Sequence, residues 1–347
     1  HLRKLIHVAN AVESMAYREE EETEDIVNRA EQMVLDVSGT TKGESSFSAM
    51  RDVVYETIDR INELQRHKGI LTGVSTGFKD LDNLTSGLQK SDLILVAARP
   101  SMGKTAFALN IALNVAGKNH RDESEKKTVA LFSLEMGADQ LVSRMICSEG
   151  MLDSEKIKKG TLDNDDMMKL ETAVHFLNQK NIFIEDSAFI KVNEVKAKCK
   201  LLKNEHGLDL VVIDYLQLLQ GSKRTDNRQQ EVSEISRSLK QMARELDCPV
   251  IALSQLSRSV ESRHDKRPMM SDLRESGSIE QDADIVSFLY RSDYYRSEDA
   301  DENEVQEPSD VSTVEVIVAK NRNGQTGTAE LAFMKRYNRF VSKSYGE

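Results

Sequence analysis

Tryptophan is absent from this chain, and aromatic residues make up only 5% of it. A platform that stacks successive bases on aromatic rings is therefore not expected. Cysteine is scarce. Cys147, Cys199 and Cys248 lie far apart without metal-ligand spacing, which excludes a disulfide framework and points to free buried thiols in a reducing cytoplasm. No run approaches the ~18 apolar residues needed to cross a bilayer, and no secretory pattern opens the chain. No membrane association is expected. An excess of basic charge is also missing. The formal net charge is −11, which argues against a basic body that binds nucleic acid. Much of the acidity sits in two runs, residues 19–25 and 298–310, which read as solvated segments. Outside them acids and bases nearly balance, so contact with a polyanion must come from a local patch. His1 stands where an initiator Met would, so the sequence reads as a fragment or a processed product.

The most informative stretch that is present runs from Leu93 to Thr105, LILVAARPSMGKT. An apolar strand pattern feeds a short turn ending Gly103-Lys104-Thr105, and an apolar helix pattern follows from Ala106 to Ala116. This order of elements cradles phosphate. Loop N–H groups and the helix N-terminus face a polyphosphate, the lysine reaches its outer phosphates, and the threonine hydroxyl ligates Mg²⁺. Ser101, Gly103, Lys104, Thr105 and Ala106 are the candidate nucleotide-binding residues, with ATP and Mg²⁺ as the implied ligands. The first Gly of the usual pattern is replaced by Ala98. Alanine is small, and Gly103, where the backbone must approach the phosphate, is retained.

Two amphipathic stripes precede this core. Ile26, Ala30, Met33, Val34 and Val37 form one, and Phe47, Met50, Val53, Val54, Ile58, Ile61 and Leu64 form a second. SGTTKGESS between them reads as a linker. A short amphipathic helix isolated in this way packs on its own domain or docks on a neighbouring subunit. Strand patterns follow at Leu93–Ala98, Val129–Leu134, Ile182–Glu185, Leu210–Asp214, Val250–Ser254, Ile285–Tyr290, Val314–Lys320 and Thr328–Met334, the earlier ones alternating with helix patterns. The predicted fold class is α/β with a mostly parallel sheet covered on both faces. The last two strands flank Asn321–Gly327 and read as a hairpin.

Several residues at strand ends could carry chemistry. Asp214 closes the run LVVID and suits a Mg²⁺ partner beside the phosphate loop, or is an ordinary turn or cap aspartate. Glu135 follows VALFSL and is a candidate base that orients water, or a glutamate capping the next helix. Gln255 ends VIALS and could sense the γ-phosphate, or be a turn residue. Lys320 and Arg322, two apart at the hairpin tip, point the same way if extended. They form a cation pair able to reach an adjacent subunit's triphosphate, or two solvated turn cations. Residues 272–284, DLRESGSIEQDAD, read as a loop with Arg274 and exposed amides suited to a phosphate backbone. The segment 221–231, with Lys223, Arg224 and Arg228, is a second polar loop.

Taken together, TGVSTGFKDLDNLTSGLQKSDLILVAARPSMGKTAFALNIA, LFSLEM, VIDYLQLL, NRQQEVSEISRSLKQMARELDCPVIALSQLSR, DKRPMMSDLRESGSIEQDADIV and AKNRNG closely resemble the motor domain of bacterial DnaB-type replicative DNA helicases. The likeness runs from about residue 70 to the C-terminus and more loosely through the preceding 67 residues. It implies a RecA-like P-loop fold with a twisted sheet over residues 44–347, preceded by a helical linker region over 1–43. It implies a homo-hexameric ring that hydrolyses ATP between subunits and moves 5′ to 3′ on single-stranded DNA. Glu135 then matches a catalytic glutamate, Gln255 the γ-phosphate sensor, and Lys320 and Arg322 the cations donated in trans. Asp214 supports the metal with Thr105. Arg274, Glu275 and Gly277 match the segment gripping the DNA backbone, with Glu275 contributing its N–H or bracing Arg274. The Ile26–Val37 stretch is similar to the helix that docks on the adjacent subunit. A helicase loader is an implied partner, and primase is implied through an N-terminal collar domain that this sequence lacks. The implied location is the cytoplasm, at the replication fork. A filament-forming strand-exchange protein and a small-molecule kinase share the phosphate loop. The first is disfavoured by DLRESGSIEQDAD and KNRNG, the second by the want of an acceptor pocket with a lid.

Overall fold

The computed structural model describes residues 2–18, 26–27, 29–30, 33–34, 50–66, 71–117, 126–221, 228–299 and 310–343. The chain divides into two compact units, His1–Ile70 and Leu71–Glu347. The expected division after residue 43 lies outside the described residues, as do most of both acidic runs, the linker, Lys223 and Arg224.

The first unit contains the long helices Leu2–Arg18 and Met50–Arg66. The second of these covers the stronger predicted stripe from Met50 onward. Its apolar positions Val53, Val54, Ile58 and Ile61 are exposed. Of the weaker stripe, residues 26–27, 29–30 and 33–34 are helical, and Val37 falls outside the described residues.

The second unit is built on one nine-stranded sheet. Strands β1 (Leu93–Ala98), β2 (Val129–Ser133), β3 (Ile182–Glu185), β4 (Leu210–Asp214), β5 (Val250–Gln255) and β6 (Ile285–Tyr290) lie in the order β3-β2-β4-β5-β1-β6. All six run parallel. Strands β7 (Val311–Asn321), β8 (Gly327–Met334) and β9 (Arg339–Ser342) extend the sheet antiparallel. The predicted hairpin is β7–β8. Strand β9 has no counterpart among the predicted strands, because four residues are too few for a period-two pattern to show.

Side chains alternate across the sheet, so each central strand feeds two cores. From β1, Ile94, Val96 and Ala98 pack with the Lys104–Ala116 helix, while Leu93, Leu95 and Ala97 pack with the Arg228–Leu246 helix in a core that the Val192–His206 helix also joins. Burial on both faces explains the unbroken apolar text of β1. At about 1.5–3 kcal/mol for each large side chain, this strand is a firm anchor for the loop that leaves its end. Cys147, Cys199 and Cys248 are buried and free, and burial pushes the Cys199 thiol up to about 12. No described helix is long and apolar enough to cross a membrane.

Candidate functional site

The parallel strands finish together. Ala98 of β1 is in register with Gln255 of β5, and Ser133 of β2 with Asp214 of β4. Asp214 and Gln255 therefore share the carboxyl edge of the sheet with Glu135, two residues beyond Ser133. This is the rim where parallel sheets hold ligands.

Between Ala98 and the following helix the chain turns sharply, with Ser101 (φ 64°) and Gly103 (φ 93°) both left-handed. The Ser101 carbonyl accepts from Arg291 Nη1 at 3.0 Å, which helps hold a conformation serine rarely adopts. A side chain at Gly103 would also crowd Phe340, since a Cβ there would lie 3.1 Å from its Cζ. The first bond of the Lys104–Ala116 helix runs from Phe107 N–H to the Gly103 carbonyl at 2.8 Å. The amides of Lys104, Thr105 and Ala106 thus precede any helical acceptor. They open, with the positive end of the helix dipole, onto a cleft of about 470 Å³ that these residues line.

Lys104 Nζ lies 3.8 Å from Asp214 Oδ1 and 4.6 Å from the centre of the Tyr215 ring. Burial lowers its pKa, against the opposing pull of Asp214 and Glu135. A cation stripped of water in this way is poised to take an anion. Thr105 Oγ1 donates to Asp214 Oδ2 at 2.6 Å. Asp214 is 2% exposed, and its Oδ1 has no hydrogen-bond partner. A buried carboxylate oxygen left open beside a threonine hydroxyl is an oxygen donor set suited to a hard divalent cation. The residues present fit Mg²⁺.

Glu135 is exposed in the bend after β2. Ser133 Oγ donates to the Met136 carbonyl at 2.7 Å, and Leu134 N–H to the Asp214 carbonyl at 2.7 Å, so the bend is fixed against β4. Glu135 does not cap the next helix, Ala138–Gly150. The cap position is Gly137, and Asp186 takes the Ala138 N–H at 2.9 Å. Gln255 is exposed at the end of β5, with its backbone bracketed by the Gln217 amide. Gln217 Nε2 donates to the Ser254 hydroxyl at 2.8 Å and to the Gln255 carbonyl at 3.3 Å, while Gln255 N–H donates to Gln217 Oε1 at 3.4 Å. Glu135 and Gln255 face the same cleft as the phosphate loop.

Three cleft cations carry no sequence signature. Arg144 comes from the Ala138–Gly150 helix, Arg291 follows β6, and Lys335 follows β8. Only the folded sheet brings these three elements together.

Lys320 and Arg322 are not at the cleft. Lys320 pairs with Val286 near the start of β6, at the amino edge of the sheet. The six residues of β1 span about 17 Å between the two edges. Nor do the cations form a projecting tip, contrary to the expectation from sequence. Lys320 Nζ donates to the carbonyls of Glu280 (2.5 Å), Gln281 (3.4 Å) and Ala283 (2.8 Å). Arg322 Nη2 donates to the Gln281 carbonyl, and its Nη1 lies 3.5 Å from Asp284 Oδ1. The reason is electrostatic: the carboxyl end of a helix attracts cations. That helix, Gly277–Asp282, and a 3-10 segment, Met270–Ser276, replace the loop expected over 272–284. Leu273, Ile279 and Ala283 are buried in one core and draw the segment into this shape. The backbone of Arg274 and Glu275 lies in the 3-10 segment, and Gly277 begins the helix.

A model of the family described as "DnaB-like helicase C terminal domain" matches residues 73–342. The chain is 54% identical over 342 residues to the "Replicative DNA helicase DnaC" of Bacillus subtilis (strain 168), covering 98% of this chain and 72% of that protein. It is 52% identical over 342 residues to the "Replicative DNA helicase DnaB" of Geobacillus stearothermophilus, with the same coverage of 98% and 72%. Among solved structures, one described as an ATPase domain is similar with a TM-score of 0.76 at 44% identity, covering 86% of this chain and all of that one. A structure described as "The Structure Of A DnaB-Like Replicative Helicase And Its Interactions With Primase" gives a TM-score of 0.79 at 40% identity, covering 99% and 76%.

Proposed function

This chain belongs to the DnaB-like helicase C-terminal domain family, and we propose that it is an ATP-driven replicative helicase that moves 5′ to 3′ along single-stranded DNA as a homo-hexameric ring and opens duplex at the replication fork. The observation that carries this reading is the Thr105–Asp214 bond at 2.6 Å beneath the left-handed phosphate loop, with Glu135 and Gln255 on the same rim.

Lys104 and the amides of Ser101, Gly103, Lys104, Thr105 and Ala106 bind the triphosphate. Thr105 and Asp214 would hold Mg²⁺, which would supply positive charge to offset that of the phosphates. Glu135 orients the attacking water and takes its proton at the carboxylate. Gln255 donates its amide to the γ-phosphate and feels its loss. The chain beyond Gln255 leads directly to the DNA segment. Ser257 N–H bonds the Asp272 carbonyl at 3.4 Å, two residues before Arg274. Arg274 grips backbone phosphates, with Glu275 and Gly277 completing the contact, so binding is sequence-tolerant and salt-sensitive.

Transition-state charge needs a further cation. Lys320 and Arg322 stand a strand's length from their own phosphate loop, which supports a role at a neighbour's site. The proposed linker over 1–43 carries its docking helix at Ile26–Val37, ahead of a motor over 44–347; the exposed apolar stripe of Met50–Arg66, which belongs to the compact unit His1–Ile70, supports a second contact with a neighbouring subunit. A helicase loader and, through an N-terminal domain, primase are the expected partners, in the cytoplasm at the fork.

Mixed rings test the shared site. Arg322→Ala and Glu135→Ala subunits are each expected to be inactive alone, and to recover turnover when mixed, because some interfaces then carry both intact residues. No recovery in proven mixed rings refutes the assignment in trans. Turnover indifferent to single-stranded DNA in intact rings refutes the motor.

A further inference from the structure

The cations assigned to a neighbour's site are already engaged within their own chain. An ammonium has three N–H donors, and Lys320 directs all of them at the carbonyls of Glu280, Gln281 and Ala283. Burial lowers the Lys320 pKa and nearby Arg322 lowers it further, while Asp284, Glu280 and Asp282 oppose both. Arg322 is held by the Gln281 carbonyl and by Asp284.

Asp284 is a fixed point. It is 4% exposed. Its Oδ2 accepts from Leu93 N–H at 2.8 Å and from Lys240 Nζ at 2.5 Å, which leaves Oδ1 facing Arg322. Its backbone adds two bonds, donating to the Leu93 carbonyl at 2.9 Å and accepting from Arg322 N–H at 3.0 Å. The amino edge of the central strands thus presents a firmly bonded carboxylate, with buried Asp92 beside it, to a cation that has work elsewhere.

We propose that Asp284 is a positioning residue for hydrolysis: with the carbonyl end of the Gly277–Asp282 helix it holds Arg322 and Lys320 inside their own chain, and a neighbour's triphosphate must displace that hold. This rests on the reading of Lys320 and Arg322 as cations donated across a subunit interface. The same protons cannot cap a helix and bind a γ-phosphate. Triphosphate in the next subunit and a capped helix in this one therefore compete. The helix begins at Gly277, within the segment assigned to DNA. By linkage, DNA that draws the helix away frees the cations, and triphosphate that draws the cations away frees the helix.

Asp284→Asn tests the hold. Asparagine keeps an acceptor for Leu93 N–H, and Lys240 keeps Asp92 at 3.8 Å. Asp92 is also relieved of the Asp284 charge that helps raise its pKa. ATP turnover is measured with and without a dT oligonucleotide, at protein concentrations where wild-type turnover per subunit is constant. Turnover without DNA is expected to rise about two- to fivefold, the range released by losing a half-exposed ion pair. The ratio of DNA-stimulated to basal turnover is expected to fall by the same factor. Unchanged or lower basal turnover overturns the proposal. Should Asp284→Asn prove unstable, Asp284→Asn combined with Asp92→Asn and Lys240→Met removes the three buried charges together while keeping an acceptor for Leu93 N–H, and must give the same rise. Arg322→Ala in the same assay separates the two readings. Normal hydrolysis by Arg322→Ala ends the assignment in trans and the hold with it. An inactive Arg322→Ala beside an unchanged Asp284→Asn ends the hold alone.

Discussion

Gly103 carries the phosphate loop into its helix at φ 93°, and an alanine there meets two separate obstacles. The left-handed conformation costs a residue with a Cβ about 1–2 kcal/mol. The Cβ itself would sit 3.1 Å from Phe340 Cζ and 3.6 Å from Phe333 Cε1. Phe340 cannot swing aside, because it is 4% exposed, stacked on Phe333 at 4.4 Å and edge-on to Phe107 at 5.4 Å. Crowding of this kind adds about 1 kcal/mol, for a total of roughly 2–3 kcal/mol. That total can surface in two places. If the loop keeps its shape, the folded state is weakened and the melting temperature drops by about 2–4 °C per kcal/mol. If the loop relaxes, the melting temperature holds, and nucleotide must restore the shape at a loss of about 30- to 150-fold in affinity. Calorimetric titration with MgADP beside thermal melts without nucleotide measures both shares. Gly103→Ala that melts and binds within about 0.5 kcal/mol of the unaltered chain refutes the argument.

Two further outcomes follow from buried charge and from the proposed Mg²⁺ site. Asp92 is held protonated to about pH 6, first by burial and then by the Asp284 charge, against the opposing pull of Lys240. An acid whose pKa rises from 3.8 on folding weakens the fold most above that pH, and the penalty fades as pH falls towards 3.8. Asp92→Asn is therefore expected to raise the melting temperature more at pH 8 than at pH 5, and an equal or reversed difference refutes it. Thr105→Ala removes the hydroxyl that donates to Asp214 at 2.6 Å. It is expected to raise the Mg²⁺ concentration needed for half-maximal turnover by about tenfold or more, while nucleotide affinity in EDTA barely moves. An equal loss with and without Mg²⁺ would place the role of Thr105 elsewhere.

The parallel strands were legible in sequence because burial on both faces leaves their text unbroken, as in LILVAA and LVVID. The rim residues were legible for the same reason: Asp214 and Gln255 each end such a run, and Glu135 lies just past one. Arg144, Arg291 and Lys335 were not, because β6, β8 and the Ala138–Gly150 helix meet only in the finished sheet. Ser276-Gly277-Ser278 reads locally as a loop. Burial of Leu273 and Ile279, a long-range effect, overrides that local preference. The in-chain bonds of Lys320 and Arg322 had no signal at all, since backbone carbonyls are present in every sequence.

The phosphate loop leans on residues that come much later in the chain. Phe340 backs Gly103, and the Asn110 side chain donates to the Asn338 carbonyl at 2.9 Å and accepts from Phe340 N–H at 3.0 Å, across 228 and 230 positions. A ribosome releases Lys104 long before Phe340, so during translation the pocket stays without its rear wall until the final strand emerges. A chain cut before Phe340 is therefore expected to lose nucleotide affinity even though every residue of the loop itself is present.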